Sequence, residues 1–342
     1  MKWVRPQINN LHPYIPGKQV TGKVVKLNAN ENPYPPSLGA IAVLSEINTD
    51  NLRLYPDAIA VNLRKVAANI FDVDDDQIVI GNGSDDVLTM IIRTFLDVGD
   101  SISVVDPTYT LYETLAEIQG ARTEIYPLNN DYSLPDSFFQ TECKVIFLPN
   151  PNAQTGTLFP TEQIERLCGN NNSVVVIDEA YTDFSGVSSI PLIKKYDNLI
   201  VLRTVSKSYS LAGIRVGFGI SNKNFISAMM KVKDSYNVNA VSQLIAAEAI
   251  IDRKQFNWNI GKIIETREWF SKSLSDLGWK VTPSAANFIL VEPVKDSPEA
   301  VKEKLEAAGI LIRHFNTPRL KNKLRISIGT DEQMKNLLKV IT

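Results

Sequence analysis

The sequence predicts an α/β fold, a mostly parallel seven-stranded sheet flanked by helices, followed by a smaller α+β domain. Three observations carry this. Between residues 77 and 220, seven short apolar runs alternate with segments of helical period. The runs are apolar throughout, as strands covered on both faces are. Beyond residue 220 the period becomes helical, then breaks into short strand-like runs near the C terminus.

Taken in order, the runs at 77–80, 101–105, 122–126, 144–148, 173–177, 199–202 and 216–220 read as buried strands. Segments 84–96, 112–119 and 161–168 carry the helical repeat between them, and Pro160, Thr161 and Glu162 supply a helix start. Strand, helix, strand in this rhythm makes a doubly wound sheet. Helical periodicity then covers 224–277, interrupted at Asn237-Val238-Asn239. The remainder reads as strand 288–291, helix 298–308, strands 310–313 and 324–328, and helix 331–340. Residues 1–40 are rich in Pro and Asn and are expected to run along the surface as an arm or lid. The expected organisation is 1–40 as this arm and part of the small domain, 41–240 as a large domain, and 241–342 as an interdomain helix and small C-terminal domain.

Composition removes several classes. Lys and Arg total 36 against 38 Asp and Glu, so nothing marks a surface for nucleic acid or membrane. No apolar run reaches the roughly 18 residues of a membrane helix. The first residues, Met1 to Gln7, lack the apolar stretch of a signal peptide. Cys143 and Cys168 form no CxxC pair, and a reduced, cytoplasmic location is expected. The two histidines, His12 and His314, offer no metal spacing, so no metal is expected. There is no G-x-S-x-G elbow for a serine hydrolase. Gly17-x4-Gly22-Lys23 resembles a P-loop, but Val24 stands where a hydroxyl is required. Gly81-Asn82-Gly83 starts like a dinucleotide fingerprint, and Asp86 stands where its third glycine belongs. The acidic run from Asp72 to Asp76 lacks the glycine and glutamate of a calcium loop.

Open α/β sheets bind ligands outside the carboxyl ends of their strands. Four segments there carry complementary chemistry. Gly81-Asn82-Gly83-Ser84-Asp85 joins a strand to a helix whose free N–H groups suit phosphate, or is a simple turn capped by Ser84 or Asp85. Asp178 ends an apolar strand, where a carboxylate needs a cationic partner such as a protonated ring nitrogen, or caps the next segment. Lys207 follows another buried strand. Desolvated there it would have a depressed pKa and could form a Schiff base, although most lysines are surface residues. Arg215, eight residues on, could return to the anion that Ser206 meets. Each bland reading is reasonable alone; four together in this order are not.

Gly-Ser-Asp, Asp-x-x-Tyr, Ser-Lys and the later Arg resemble, in that order, the fold-type I pyridoxal-phosphate (PLP) aminotransferases over nearly the whole chain. The subgroup most resembled is the histidinol-phosphate aminotransferases, on residues 27–34 (LNANENPY), 54–57 (LYPD), 106–109 (DPTY) and 324–330 (LRISIGT). The resemblance implies a small domain built from both chain ends, PLP as cofactor, and the following roles. Lys207 anchors the cofactor and relays a proton. Asp178 keeps the pyridine nitrogen protonated. Tyr181 hydrogen-bonds the ring oxygen, and Tyr109 stacks on the ring. Ser84, Asp85, Ser206 and Arg215 hold the phosphate. Tyr55 reaches the phosphate of a neighbouring subunit, which implies a homodimer. Arg325 clamps a substrate α-carboxylate, and Arg313 and Tyr14 contact the substrate phosphate.

The sequence departs from that family at one loop. The family reads Asn-Asn-Pro-Thr-Gly where this chain has Asn152-Ala153-Gln154-Thr155-Gly156, so Ala153 replaces the asparagine that contacts the ring oxygen. Asn152 is expected to take over that contact. The implied reaction exchanges an amino group between L-histidinol phosphate and 2-oxoglutarate in histidine biosynthesis. An aromatic amino acid aminotransferase would share every cofactor residue, and a threonine-phosphate decarboxylase the fold, so both stand as alternatives. A non-enzymatic regulator is disfavoured by the intact residue set.

Overall fold

The computed structural model describes residues 2–11 and 24–342. After a short helix α1 (Pro6–Asn10), strand β1 (Val25–Leu27) leads into α2 (Leu38–Glu46) and α3 (Val61–Phe71). The alternation of strands and helices then begins: β2 (Ile78–Gly81), α4 (Ser84–Phe95), β3 (Ser101–Asp106), α5 (Leu111–Gln119), β4 (Arg122–Pro127), β5 (Val145–Pro149), α6 (Thr161–Asn170), β6 (Val174–Asp178), β7 (Leu199–Thr204) and β8 (Gly217–Ile220). Three helices follow, α7 (Lys223–Val232), α8 (Ala240–Ile251) and α9 (Arg253–Asp276). The chain closes with β9 (Lys280–Thr282), β10 (Phe288–Glu292), α10 (Pro298–Ala307), β11 (Ile310–His314), β12 (Leu324–Ser327) and α11 (Asp331–Ile341).

The seven expected strands pair as one sheet, in the order β2-β8-β7-β6-β5-β3-β4. It is parallel except for β8, which runs against both neighbours. Its central strands are mostly Val, Ile and Leu, as strands covered on both faces are; β5, β6 and β7 are buried at every position. The strands that run with β6 point their carboxyl ends to one edge. That edge receives Asp178 directly, Lys207 three residues after β7, Tyr109 three residues after β3, and the Gly81-Asn82-Gly83 turn after β2.

The second sheet has the order β1-β11-β12-β10-β9. Residues 1–40 are expected as a surface arm and as part of the small domain; β1 is a strand of the small sheet, parallel to β11, and Asn28 and Asn30 just after it are buried rather than on the surface. Three residues with mixed polarity carry too little period to read as a strand; pairing with β11 creates it. The helices α2 and α3 and the short edge strand β9 likewise had no distinct signal. The interruption near Asn237 separates α7 from α8, where the Asn239 side chain caps α8 by accepting from the Ser242 amide. Helix α9 spans about 36 Å and joins the two cores. Phe256 packs with the large sheet, and Ile263, Phe270 and Leu274 pack with the small one.

Candidate active site

The residues expected at the edge of the large sheet do converge. Asp178 is 6% exposed at the end of β6. Its Oδ2 accepts from the Tyr112 hydroxyl at 2.7 Å, and its Oδ1 accepts from the Ala180 amide at 3.1 Å. Burial pushes this carboxyl above its ordinary value; the Tyr112 and Ala180 donors and the Lys207 charge pull it back, while Asp85 adds to the rise. Tyr112 was not singled out by sequence. It is fully buried on α5, stacked on Phe147 and edge-on to Tyr109, and burial drives its hydroxyl well above the usual tyrosine value. A lone tyrosine in a helical repeat reads as core, so its bond to a residue 66 positions away left no local trace.

Lys207 Nζ lies 5.6 Å from the Tyr181 ring centroid and donates to the Ala29 carbonyl at 3.4 Å. The Lys207 carbonyl accepts from Asn32 Nδ2 at 3.0 Å. The N-terminal segment thus closes over the lysine from the side of the small sheet. Asn30 continues the link: its Nδ2 donates to the Tyr181 hydroxyl at 3.0 Å, and its Oδ1 accepts from Ser327 Oγ at 3.0 Å. Asn30 holds a left-handed backbone, φ 55°, which asparagine tolerates better than most residues. The asparagines of segment 27–34, noted only as part of a motif, therefore bind the site together.

A cationic, amide-lined corner lies beside them. Gly83, at φ 89°, is the N-cap of α4 and replaces Ser84 or Asp85 as the expected capping residue. The Arg215 guanidinium sits where a Gly83 side chain would be, so a Cβ would displace it, and the positive φ disfavours any side chain here. Arg215 donates to Asp85 Oδ2 at 3.2 Å and to Ser206 Oγ at 3.4 Å. Tyr109 donates to Asp85 Oδ1 at 3.2 Å. Arg215 itself has a left-handed backbone, φ 53°, a strain of about 1–3 kcal/mol that the surrounding turn holds in place. Ser84, Asp85, Ser206 and Arg215 together offer N–H groups, hydroxyls and a guanidinium to one small anion.

The loop after β5 is held by its own side chains. Asn152 is wholly buried: its Oδ1 accepts from the Gln154 and Thr155 amides, and its Nδ2 donates to the Pro107 carbonyl at 2.9 Å. Those buried amides need an acceptor, so the Asn152 oxygen is engaged within the loop, while its Nδ2 carries a second N–H. Gln154, in the place of a proline, reaches Arg325 instead. Its Oε1 accepts from Arg325 Nη1 at 2.9 Å, and the same nitrogen donates to the Ala153 carbonyl at 2.9 Å.

Arg313 and Arg325 face each other across β11 and β12. Both guanidinium carbons lie 5.1 Å from the Phe315 ring centroid, and Arg325 also lies 5.1 Å from that of Phe288. Tyr55 is 80% exposed and stacked on Tyr236 at 4.5 Å. Tyr14 lies outside the described residues. No group of potential metal ligands occurs among the described residues.

Taken as chemistry, the edge supplies a primary amine, a buried carboxylate, a tyrosine hydroxyl and an anion corner in one chain of contacts. That set suits a flat cationic heterocycle carrying a phosphate. Comparison with known proteins agrees. The family described as aminotransferase class I and II matches residues 22–341. A histidinol-phosphate aminotransferase of Geotalea daltonii is 42% identical over 338 residues, 98% of this chain and 97% of its own. One from Microcystis aeruginosa is 43% identical over 329 residues, 96% of this chain and 94% of its own. The fold is shared with the crystal structure of the histidinol-phosphate aminotransferase from Sinorhizobium meliloti in complex with pyridoxal-5'-phosphate, with TM-score 0.90 and 23% identity, covering 100% of this chain and 98% of that one.

Proposed function

This chain belongs to the class I and II aminotransferases, and from that membership we propose that it exchanges an amino group between L-histidinol phosphate and 2-oxoglutarate in histidine biosynthesis, using PLP. The products are imidazole-acetol phosphate and glutamate. When bound, PLP supplies a cationic ring that accepts the electron pair left by a departing Cα proton. The residues do the rest. Lys207 Nζ anchors the cofactor and carries the proton. Asp178 keeps the ring nitrogen protonated, Tyr181 donates toward the ring oxygen, and Tyr109 covers the ring face. The Ser84 and Asp85 amides, Ser206 Oγ and Arg215 hold the cofactor phosphate; Arg215 exchanges Asp85 for that phosphate.

The observation that carries the substrate reading is the pair Arg313 and Arg325, opposed across two strands. Both guanidinium carbons lie 5.1 Å from the Phe315 ring centroid, which keeps the two cations together. Two cations side by side suit a site that takes a phosphate from one substrate and two carboxylates from the other. We assign Arg325 to the α-carboxylate of glutamate, and Arg313 with Tyr14 to the phosphate of histidinol phosphate. The run of exposed large apolar residues Leu38, Ile41, Leu44, Leu52, Leu54 and Tyr55 within one short stretch of chain supports a homodimer in which Tyr55 reaches the neighbouring site. No described helix is long and apolar enough to cross a membrane, and both cysteines are free, which supports a cytoplasmic enzyme.

The test is a half-reaction followed by absorbance. Histidinol phosphate and glutamate should each bleach the yellow enzyme, while phenylalanine and O-phosphothreonine should not. Bleaching by phenylalanine without histidinol phosphate would make it an aromatic aminotransferase. Carbon dioxide release from phosphothreonine would make it a decarboxylase.

A further inference from the structure

We propose that Gln154 is a positioning residue that orients the Arg325 guanidinium for the carboxylate of the amino donor and ties it to the loop carrying Tyr109. The inference rests on the assignment of Arg325 made above.

Arg325 lies on β12 of the small sheet, whereas Gln154 lies in the loop after β5 of the large one. The Phe288 and Phe315 ring centroids each lie 5.1 Å from the guanidinium carbon. Ring contacts attract the charge but set no hydrogen-bond direction. Two acceptors do set one: Gln154 Oε1 and the Ala153 carbonyl, both 2.9 Å from Nη1. The other end of the same amide donates from Nε2 to the Thr108 carbonyl at 3.2 Å. Thr108 precedes Tyr109, and its neighbour Pro107 accepts from Asn152 of the same loop. One buried side chain, 7% exposed, therefore spans from the arginine of the small sheet to the segment bearing the stacking tyrosine.

This accounts for the family departure at this loop. A proline at this position has no side-chain acceptor for Arg325 and no donor for Thr108. In this chain the glutamine supplies both, while the neighbouring Ala153 leaves room and contributes only its carbonyl. The orientation of a planar fork decides whether a carboxylate meets two parallel hydrogen bonds or one. Histidinol phosphate has no α-carboxylate, so loss of this orientation falls on the glutamate half of the cycle.

The test uses the PLP-loaded enzyme and Gln154→Met, which keeps volume and removes both polar ends. Binding of maleate, an unreactive dicarboxylate, is measured by calorimetry, and both half-reactions are measured by stopped flow. Maleate affinity and the glutamate KM should worsen about tenfold, the lower range for losing a hydrogen bond to a charged group. The maximal rate with glutamate and the histidinol phosphate half-reaction should stay within about twofold. In an Arg325→Ala background the same change should have no further effect on maleate. If Gln154→Met binds maleate like the wild type while Arg325→Ala does not, Gln154 has no such role. If Arg325→Ala itself binds maleate normally, the arginine assignment falls and the inference with it. Equal damage to both half-reactions, repeated in Gln154→Ala, would mean a general packing role and would also overturn it.

Discussion

Tyr112→Phe isolates one hydroxyl. The ring can keep its stack on Phe147 and its edge contact with Tyr109, while Asp178 Oδ2 loses its 2.7 Å donor. A hydrogen bond to a charged group contributes about 1.5–3 kcal/mol, so the maximal rate should fall about 10- to 150-fold if the bond supports the ionised form during turnover. The pH dependence has a definite sign. Burial already raises the Asp178 carboxyl, and Tyr112 is the largest opposing influence. Removing it raises that value further. In the proposed role Asp178 is ionised to keep the ring nitrogen protonated, so the acid limb of the rate profile should move to higher pH. Stability follows the same linkage. A carboxyl raised in the folded state favours folding below its unfolded value, and that advantage is lost as pH rises through the folded value. The variant's deficit relative to wild type should therefore widen from acid to neutral pH in urea denaturation of the cofactor-free protein. Groups facing Asp178 besides Tyr112 are the Ala180 amide, Asp85 and Lys207, and none is altered. An unchanged rate together with an unmoved acid limb would refute the argument, as would a deficit independent of pH.

Other expectations follow from neighbouring geometry. Arg203 is buried between Glu179 and Asp183, and Asp183 also accepts from Ser208, next to Lys207. Arg203→Met should cost about 3–5 kcal/mol by leaving buried carboxylates unpaired; a denaturation midpoint near that of wild type would deny the network this role. Burial already holds the Glu179 carboxyl high despite Arg203, so this deficit should also grow with pH. Gly217 abuts the Ser84 amide so closely that a Cβ would overlap rigid backbone. Gly217→Ala should therefore push the start of α4 away and lower PLP affinity by at least about tenfold, read by cofactor titration; an unchanged affinity would place the phosphate elsewhere. Lys207→Ala should abolish transamination while leaving the far-UV spectrum intact, and retained turnover would remove the lysine from its role.

What could be read from sequence follows from how far apart partners lie along the chain. The strand runs are visible because burial on both faces writes itself into consecutive residues, as at 145–149 and 174–178. Lys207 and Arg215 are visible because their spacing is short and follows a strand end. Asn30 and Ser327 are 297 positions apart, and Tyr112 and Asp178 are 66 apart, so these contacts exist only after both sheets are assembled. The surroundings of Asn152 were hidden for a related reason. Its side chain answers two amides within its own turn and a carbonyl from another loop, demands that a list of neighbours along the chain does not reveal. Local pattern therefore identifies groups able to do chemistry, while the groups that orient them come from elsewhere in the chain. It follows that the orienting residues Tyr112, Asn30 and Gln154 are where relatives with the same lysine, aspartate and arginines can differ in pH dependence and substrate affinity without changing the reaction.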